Sequence, residues 1–298
     1  MARETAVVTG RPTRAAVAPT RNLGSLIGTV LLQIVLLAFA ATVVYPMIWV
    51  AYTSLKTNQE FFKDAWALPA IPQWANYQRA WTEAHVGQYA INSVIVTVVS
   101  LVLILAFSAM TAYALARFDF RGKSLVFYAY VGGMMFPVVM VIIPLFVLLR
   151  DLGIWGDWRG LFPAYLAYSL PFTVFVLTPF FRTLPHELEE AAIIDGASHY
   201  GVFWRVMLPL ARPGLVTAGV FNFMGIWNEY VLALVILAKP ETFTLPLGLA
   251  KLQIQQNYKS DWTAMLAGVV IVMLPTILVY AVAQKRLAEG ITLGALKG

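Results

Sequence analysis

The sequence contains no cysteine and few charged residues, and both absences restrict what the chain can be. Without cysteine it can form neither a disulfide nor a cysteine-ligated metal site. Charged residues make up 12% of the 298 residues and hydrophobic residues 60%, which is more apolar surface than a soluble domain of this length can cover. The net charge of +6 comes from dispersed basic residues and does not indicate nucleic-acid binding. The composition therefore indicates a chain whose solvent is largely lipid.

The residue patterns of common catalytic and metal sites are also absent. The three histidines, His85, His186 and His199, lack the spacing of metal ligands. Neither the serine-nucleophile pattern G-x-S-x-G nor the zinc pattern H-E-x-x-H occurs. We therefore expect no catalytic residue and no metal site in this chain.

Six apolar segments each reach the ~20 residues that a helix needs to cross ~30 Å of hydrocarbon. They cover residues 27–52, 89–116, 125–149, 161–181, 215–237 and 262–283. Helices are expected because unpaired backbone groups are strongly unfavourable in lipid. The expected fold is an all-α membrane protein with six transmembrane helices in one domain over residues 25–289. Prolines inside the segments favour kinks, namely Pro46, Pro137, Pro144, Pro171, Pro179 and Pro275.

The distribution of basic residues predicts the orientation in the membrane. Arginines precede the first span, basic residues fill the connection after the second, and Lys285 and Arg286 follow the last. The positive-inside rule places these regions in the cytoplasm. This predicts a cytoplasmic tail over 1–24, a cytoplasmic connection around 182–214 and a cytoplasmic tail over 290–298.

The N-terminal region has an alternative interpretation. Basic residues, an apolar run and the sequence Ala38-Phe39-Ala40 also resemble a cleavable signal peptide. Apolar residues continue to Val50, which favours an uncleaved first span. N-terminal sequencing of the mature protein distinguishes the two.

Residues 183–209 predict a helical hairpin outside the lipid. Pro185 suits a helix start, and the first turns contain Glu187, Glu189 and Glu190, where the helix dipole favours carboxylates. Gly196 can end this helix in a left-handed conformation, and Ser198 can cap a second helix that leads to Pro209. By their spacing Leu188, Ala191, Ala192 and Ile194 can share an apolar face.

Such a hairpin has three possible uses. A helix lying on the membrane would bring three acidic side chains against anionic headgroups, and a DNA-reading helix would bring them against phosphates. Docking of a soluble partner fits small alanines flanked by acids. The residue chemistry therefore favours partner docking.

Several stretches together resemble the carbohydrate permeases of bacterial ABC importers, of the maltose-transporter MalG type. Glu190-Ala191-Ala192 through Leu208-Pro209 resembles the EAA motif of that family, with Val206 where the family has isoleucine. The segments at 112–118, 184–197, 227–230 and 290–298 are similar to other family stretches. The resemblance covers most of residues 25–298 and implies the type I importer permease fold with a cytoplasmic coupling helix.

The resemblance also implies partners and functional residues. The partners would be a second homologous permease, a cytoplasmic ATPase dimer that binds ATP and Mg²⁺, and an extracytoplasmic sugar-binding protein. No cofactor would be bound by this chain. The coupling residues would be Glu190, Ala191, Ala192, Asp195, Gly196, Leu208 and Pro209. The C-terminal contacts to the ATPase would be Thr292, Gly294 and Lys297.

Glu229 is the ionisable residue that stands out within an apolar segment, and it predicts either a pathway or a structural role. With Asn228 and Tyr230 it could face the translocation path or the partner permease, or it could satisfy kinked backbone within the bundle. An ion-coupled secondary sugar transporter is the alternative function, but it predicts several such acids and an internal repeat. A membrane scaffold without transport is a further alternative.

Overall fold

The computed structural model describes the backbone of residues 23–259 and 261–295, and side chains over 26–254 and 261–284. Four long helices dominate it: α1 (Leu23–Thr53), α4 (Val86–Arg117), α7 (Trp158–Thr183) and α14 (Trp262–Ala295). Their apolar parts, of 23 to 32 residues, are long enough to cross a membrane. The described residues form no β-strand, which confirms the all-α prediction. The chain divides into two units after Trp49; most of α1 belongs to the first unit, and every later helix belongs to the second.

Two bent helix pairs raise the number of possible spans from four to six. The first pair is α5 (Lys123–Gly133) and α6 (Val138–Asp151), with 102° between them. The prediction of one continuous helix over 125–149 is therefore wrong at residues 134–137, where the helix is broken. Pro137 stands at this break, where it lacks an N–H and disfavours a helical residue before it. By contrast, Pro171 and Pro275 lie inside continuous helices.

In the second bent pair, the bend lies just before the fifth apolar segment. Residues His199–Leu210 meet α11 (Arg212–Trp227) at 72°. The fifth segment itself, predicted to continue over 215–237, is interrupted after Trp227. A short helix, α12 (Val231–Ile236), follows the interruption. Residues 228–230 therefore lie between two helices and not within one.

Short helices complete the connections. They are α2 (Asn58–Lys63), α3 (Ala75–Thr82), α8 (Glu187–Ile194), α9 (His199–Val202), α10 (Leu208–Leu210) and α13 (Leu245–Lys259), with a π-helical turn over Phe203–Met207 between α9 and α10. A 3₁₀ turn occupies Pro240–Thr242. The capping box of Thr57 and Glu60 fixes the start of α2.

The two ends of the bundle contain different groups of connections. At one end, Arg117 at the end of α4 contacts Leu184 after α7. At the opposite end, Gly156 pairs with the backbone around Leu237, and Asn58 bonds to Asp261. The connection after the second span thus shares an end with 182–214, while 53–88, 150–160 and 238–261 share the other. This grouping agrees with the alternation predicted from six spans.

Candidate functional site

The hairpin predicted at 183–209 is present, and local interactions explain why. Helix α8 begins at Glu187, two residues after Pro185, with its acidic residues in the first turn. Gly196 has φ +86°, the left-handed conformation that ends the helix without strain from a Cβ. The Ser198 hydroxyl accepts a hydrogen bond from Gly201 N–H and caps α9.

One face of the hairpin rests on a hydrophobic core of its own. Val202, Phe203 and Met207 are buried in this core beside Tyr113 of α4 and Phe181 of α7. The half-buried residues Ala192, Ala197 and Leu208 pack against it from the hairpin. The rings of Tyr113 and Phe203 lie 5.1 Å apart, within the range of favourable aromatic contacts. The hairpin is therefore a packed element and not a loose loop.

The opposite face of the hairpin is exposed. Of the predicted coupling residues, the exposed ones are Glu190, Ala191, Asp195, Gly196 and Pro209. Large apolar side chains are also exposed on this face: Ile194 is 84% exposed, Tyr200 82% and Trp204 52%. Leu188 and Ala191 are exposed as well, so Ala192, half-buried against the core, departs from the predicted common face. An exposed apolar patch next to carboxylates is typical of an interaction site.

Arg117 anchors the hairpin to α4, and its individual role was not predicted. Its Nη2 donates to the carbonyl of Leu184 at 2.6 Å, and its Nη1 lies 2.9 Å from Nε2 of His186. Its Nε lies 2.7 Å from a carboxylate oxygen of Glu189; the two atoms form an ion pair, although their geometry is not that of a hydrogen bond. The only signal in the sequence was an arginine at the end of a long apolar helix, inside a stretch that resembles the family.

A cavity of about 670 Å³ lies between the broken α5–α6 pair, α7 and α11. Its wall includes the break at residues 134–137 and aromatic side chains such as Phe172 and Phe221. Its polar lining residues are Tyr165, Tyr168, Ser169, Asn222 and Glu229. The cavity is thus mostly apolar with a few polar groups, the usual character of a small-molecule site.

Glu229 combines the two roles proposed for it. It lines the cavity, and its carboxylate accepts hydrogen bonds from Leu232 N–H at 2.6 Å and Ala233 N–H at 3.1 Å. The hydroxyl of Tyr165 donates to the same carboxylate at 2.7 Å. The side chain therefore caps α12 and ties it to α7 while facing open space.

Asn228 and Tyr230 do not share this position. Asn228 is exposed, and its Nδ2 donates to the carbonyl of Met224 at 2.8 Å. The same nitrogen donates a longer hydrogen bond, 3.4 Å, to the hydroxyl of Thr276 in α14. Tyr230 is half-buried and packs against a second hydrophobic core, which includes Trp227 and Leu232. Neither lines the cavity. The structure therefore brings only one residue of the predicted trio to it.

A carboxylate at the opposite end joins α2 and α3 to the start of α14. Asp261 accepts hydrogen bonds from Arg79 Nε at 3.1 Å and Asn58 Nδ2 at 3.0 Å. Backbone N–H of Ala264 donates at 3.2 Å. Partial burial opposes ionisation, but these hydrogen bonds and the charge of Arg79 outweigh it and lower the pKa of Asp261.

The predicted C-terminal contacts lie at the edge of what is described. Helix α14 continues to Ala295, so Thr292 and Gly294 have helical backbone. The side chain of Thr292 and all of Lys297 lie outside the described residues.

Comparison with known proteins agrees with this arrangement. Residues 104–292 match the family described as "Binding-protein-dependent transport system inner membrane component". The chain belongs to this family. The diacetylchitobiose uptake system permease protein NgcG of Streptomyces coelicolor is 40% identical over 262 residues, 88% of this chain and 87% of that protein. The sulfoquinovosyl glycerol transport system permease protein SmoH of Agrobacterium fabrum is 34% identical, covering 85% and 89%.

A solved structure has the same fold. The crystal structure of a bacterial ABC transporter involved in the import of the acidic polysaccharide alginate contains a chain 27% identical to this one, with a TM-score of 0.78. The match covers 90% of this chain and 99% of that chain. The chain is therefore a membrane-embedded permease of a binding-protein-dependent ABC importer and not an enzyme, with ATP hydrolysis on a partner subunit. This membership decides against the ion-coupled transporter and the scaffold.

Proposed function

We propose that this chain forms half of a carbohydrate pathway and that its hairpin, residues 183–209, docks on the ATPase subunit. The observation that carries the proposal is the two-faced hairpin. Its inner face is fixed on a buried core, while Ile194 and Tyr200 stand exposed beside Glu190 and Asp195. A rigid backing with an exposed apolar patch is what a docking element requires.

The carbohydrate class rests on the cavity and on the relatives. The relatives named above belong to systems for the uptake of diacetylchitobiose, the transport of sulfoquinovosyl glycerol and the import of the acidic polysaccharide alginate. Aromatic faces and scattered polar groups, as found here in Phe172, Tyr168 and Asn222, suit sugar rings. Glu229 is then a path-lining residue, with the partner permease closing the other side of the path. ATP and Mg²⁺ bind to the ATPase and not to this chain.

In this proposal the hairpin end of the bundle faces the cytoplasm, with both termini. Thr292, Gly294 and Lys297 then lie near the ATPase and contact it. Because the chain has no cysteine, single cysteines report the orientation without background. In intact cells, a membrane-impermeant maleimide should label Ile71→Cys, which is exposed at the opposite end, and leave Glu190→Cys unlabelled. The reverse pattern would refute the orientation.

Docking is tested with the complete transporter. The double variant Ile194→Asp/Tyr200→Asp places carboxylates where the apolar patch must be desolvated, so ATPase retention on the tagged permease should fall roughly tenfold or more. Ile71→Asp, a matched change at a residue that is 70% exposed, should retain the ATPase. Binding-protein-dependent uptake of labelled oligosaccharide should be lost with the double variant. Full ATPase retention by the double variant would contradict the docking proposal.

A further inference from the structure

The guanidinium of Arg117 is buried although it carries a permanent charge. Its side chain is only 1% exposed, at the end of a 32-residue apolar helix. A buried charge is strongly unfavourable unless it is paired and hydrogen-bonded. The contacts around Arg117 therefore decide whether its burial is incidental or whether its side chain forms a specific connection between two elements.

Three different nitrogens of Arg117 contact three different residues beyond α7. Nη2 donates to Leu184 O, Nη1 meets His186 Nε2, and Nε pairs with Glu189. These partners follow one another through the last residues before α8 and its first turn. The planar fork of arginine reaches all three at once, with hydrogen-bond contacts from its two Nη atoms and an ion pair at Nε, whereas a lysine offers a single point of charge.

Glu189 differs from the other acidic residues of the hairpin. Its side chain is 15% exposed and faces Arg117, whereas Glu187, Glu190 and Asp195 are exposed. The acids of the hairpin therefore divide between an outer set and one carboxylate that points to α4. The ring of Phe118, next in sequence to Arg117, packs edge-on against the ring of His199 in the hairpin. Polar and apolar contacts thus hold the same junction.

We propose that Arg117 is the positioning residue that makes α4 and the coupling helix α8 move as one body. The inference rests on the proposed docking of the hairpin on the ATPase and adds how its displacement reaches the spans. Because α4 packs along α7, a displacement of α8 is passed to the helices that bound the cavity. Without the guanidinium, α8 retains Gly196, Ser198 and its core contacts, so it still folds and docks but slips relative to α4.

The test compares conservative variants in the complete transporter in proteoliposomes with its binding protein. In Arg117→Lys, two of the three contacts are lost, and sugar imported per ATP hydrolysed should fall about tenfold. ATPase retention on the permease should be unchanged. Arg121→Lys, on the exposed connection a few residues later, is the matched control and should keep the native ratio.

A second measurement detects the slip directly. A nitroxide on Glu190→Cys, unique in a chain without cysteine, should be more mobile in Arg117→Lys and Glu189→Gln than in the parent. In the double variant the two increases should not add fully, since Arg117 and Glu189 contact each other. An unchanged import ratio or unchanged label mobility in Arg117→Lys with the ATPase retained would overturn the inference and leave docking intact. Full retention of the ATPase by Ile194→Asp/Tyr200→Asp would instead overturn the proposed docking, on which this inference rests.

Discussion

Replacing Glu229 separates its structural contribution from its contribution to transport. In the native chain its carboxylate accepts from Leu232 N–H, Ala233 N–H and the Tyr165 hydroxyl. Glutamine has nearly the same shape but only one accepting oxygen. Its NH₂ group would therefore face a backbone N–H, and two donors cannot form a hydrogen bond with each other. One N–H without a partner costs roughly 1–3 kcal/mol. Glu229→Ala removes both accepting oxygens, and with them all three hydrogen bonds, and should cost roughly twice as much.

The assay is thermal unfolding of the purified complex, followed by intrinsic tryptophan fluorescence, with uptake measured well below the transition. The midpoint should fall in the order native, Tyr165→Phe, Glu229→Gln, Glu229→Ala, because Tyr165→Phe removes a single hydrogen bond and leaves the cap of α12. Uptake by Glu229→Gln should also fall, since the carboxylate lines the cavity. A native midpoint for Glu229→Gln would refute the capping argument. Native uptake together with a lowered midpoint would show that the Glu229 carboxylate contributes to stability but not to transport.

Two further predictions concern packing and pH. A Cβ at Gly214 would lie 2.6 Å from the ring of Phe180, so Gly214→Ala should lower the unfolding midpoint, whereas Gly225→Ala, with open space at its Cβ, should not. The lowered pKa of Asp261 means that its bonds to Arg79 stabilise the fold above the unfolded-state pKa of ~3.9 and lose this effect as pH falls through the lower folded-state value. Acid unfolding of Asp261→Asn should therefore depend less on pH below ~4 than that of the native chain; equal pH dependence would contradict this.

What was predictable from the sequence was mostly local. The end of α8 and the start of α9 follow from Gly196 and Ser198, because a left-handed glycine and a capping hydroxyl act within a few residues. The long spans follow from continuous apolar runs. Both kinds of signal depend on neighbours in sequence, and the structure agrees with both.

The breaks inside the apolar segments were not predicted at their positions. Hydropathy is similar on both sides of residues 134–137, so an apolar count gives one helix where the chain makes two. Proline alone did not locate the break either, since Pro137 stands at it and Pro171 lies inside α7. A proline breaks a helix only where neighbouring groups satisfy the freed backbone, and such packing is non-local.

The contacts of Arg117 could not be predicted from the sequence either, for a similar reason. Its partners at Leu184 and His186 lie 67 and 69 residues away, and no spacing rule connects them. Glu189 was predicted only as an acid in a first helical turn. The structure instead divides the acids of the hairpin between one carboxylate that pairs with Arg117 and an exposed set, a division that depends on where α4 ends.

Helix α7 connects the two parts of the candidate site. Tyr165, which holds Glu229, lies sixteen residues before Phe181, which packs under the hairpin, and at 1.5 Å per residue this is about 24 Å of helix. Leu184 just beyond α7 is held by Arg117 of α4, so both helices reach the hairpin. A close-packed pair cannot shear continuously, so displacement at α8 must move α4 and α7 together or break the Arg117 contacts. Because α7 forms one wall of the cavity, the first outcome changes the shape of the pathway and the second leaves it unchanged.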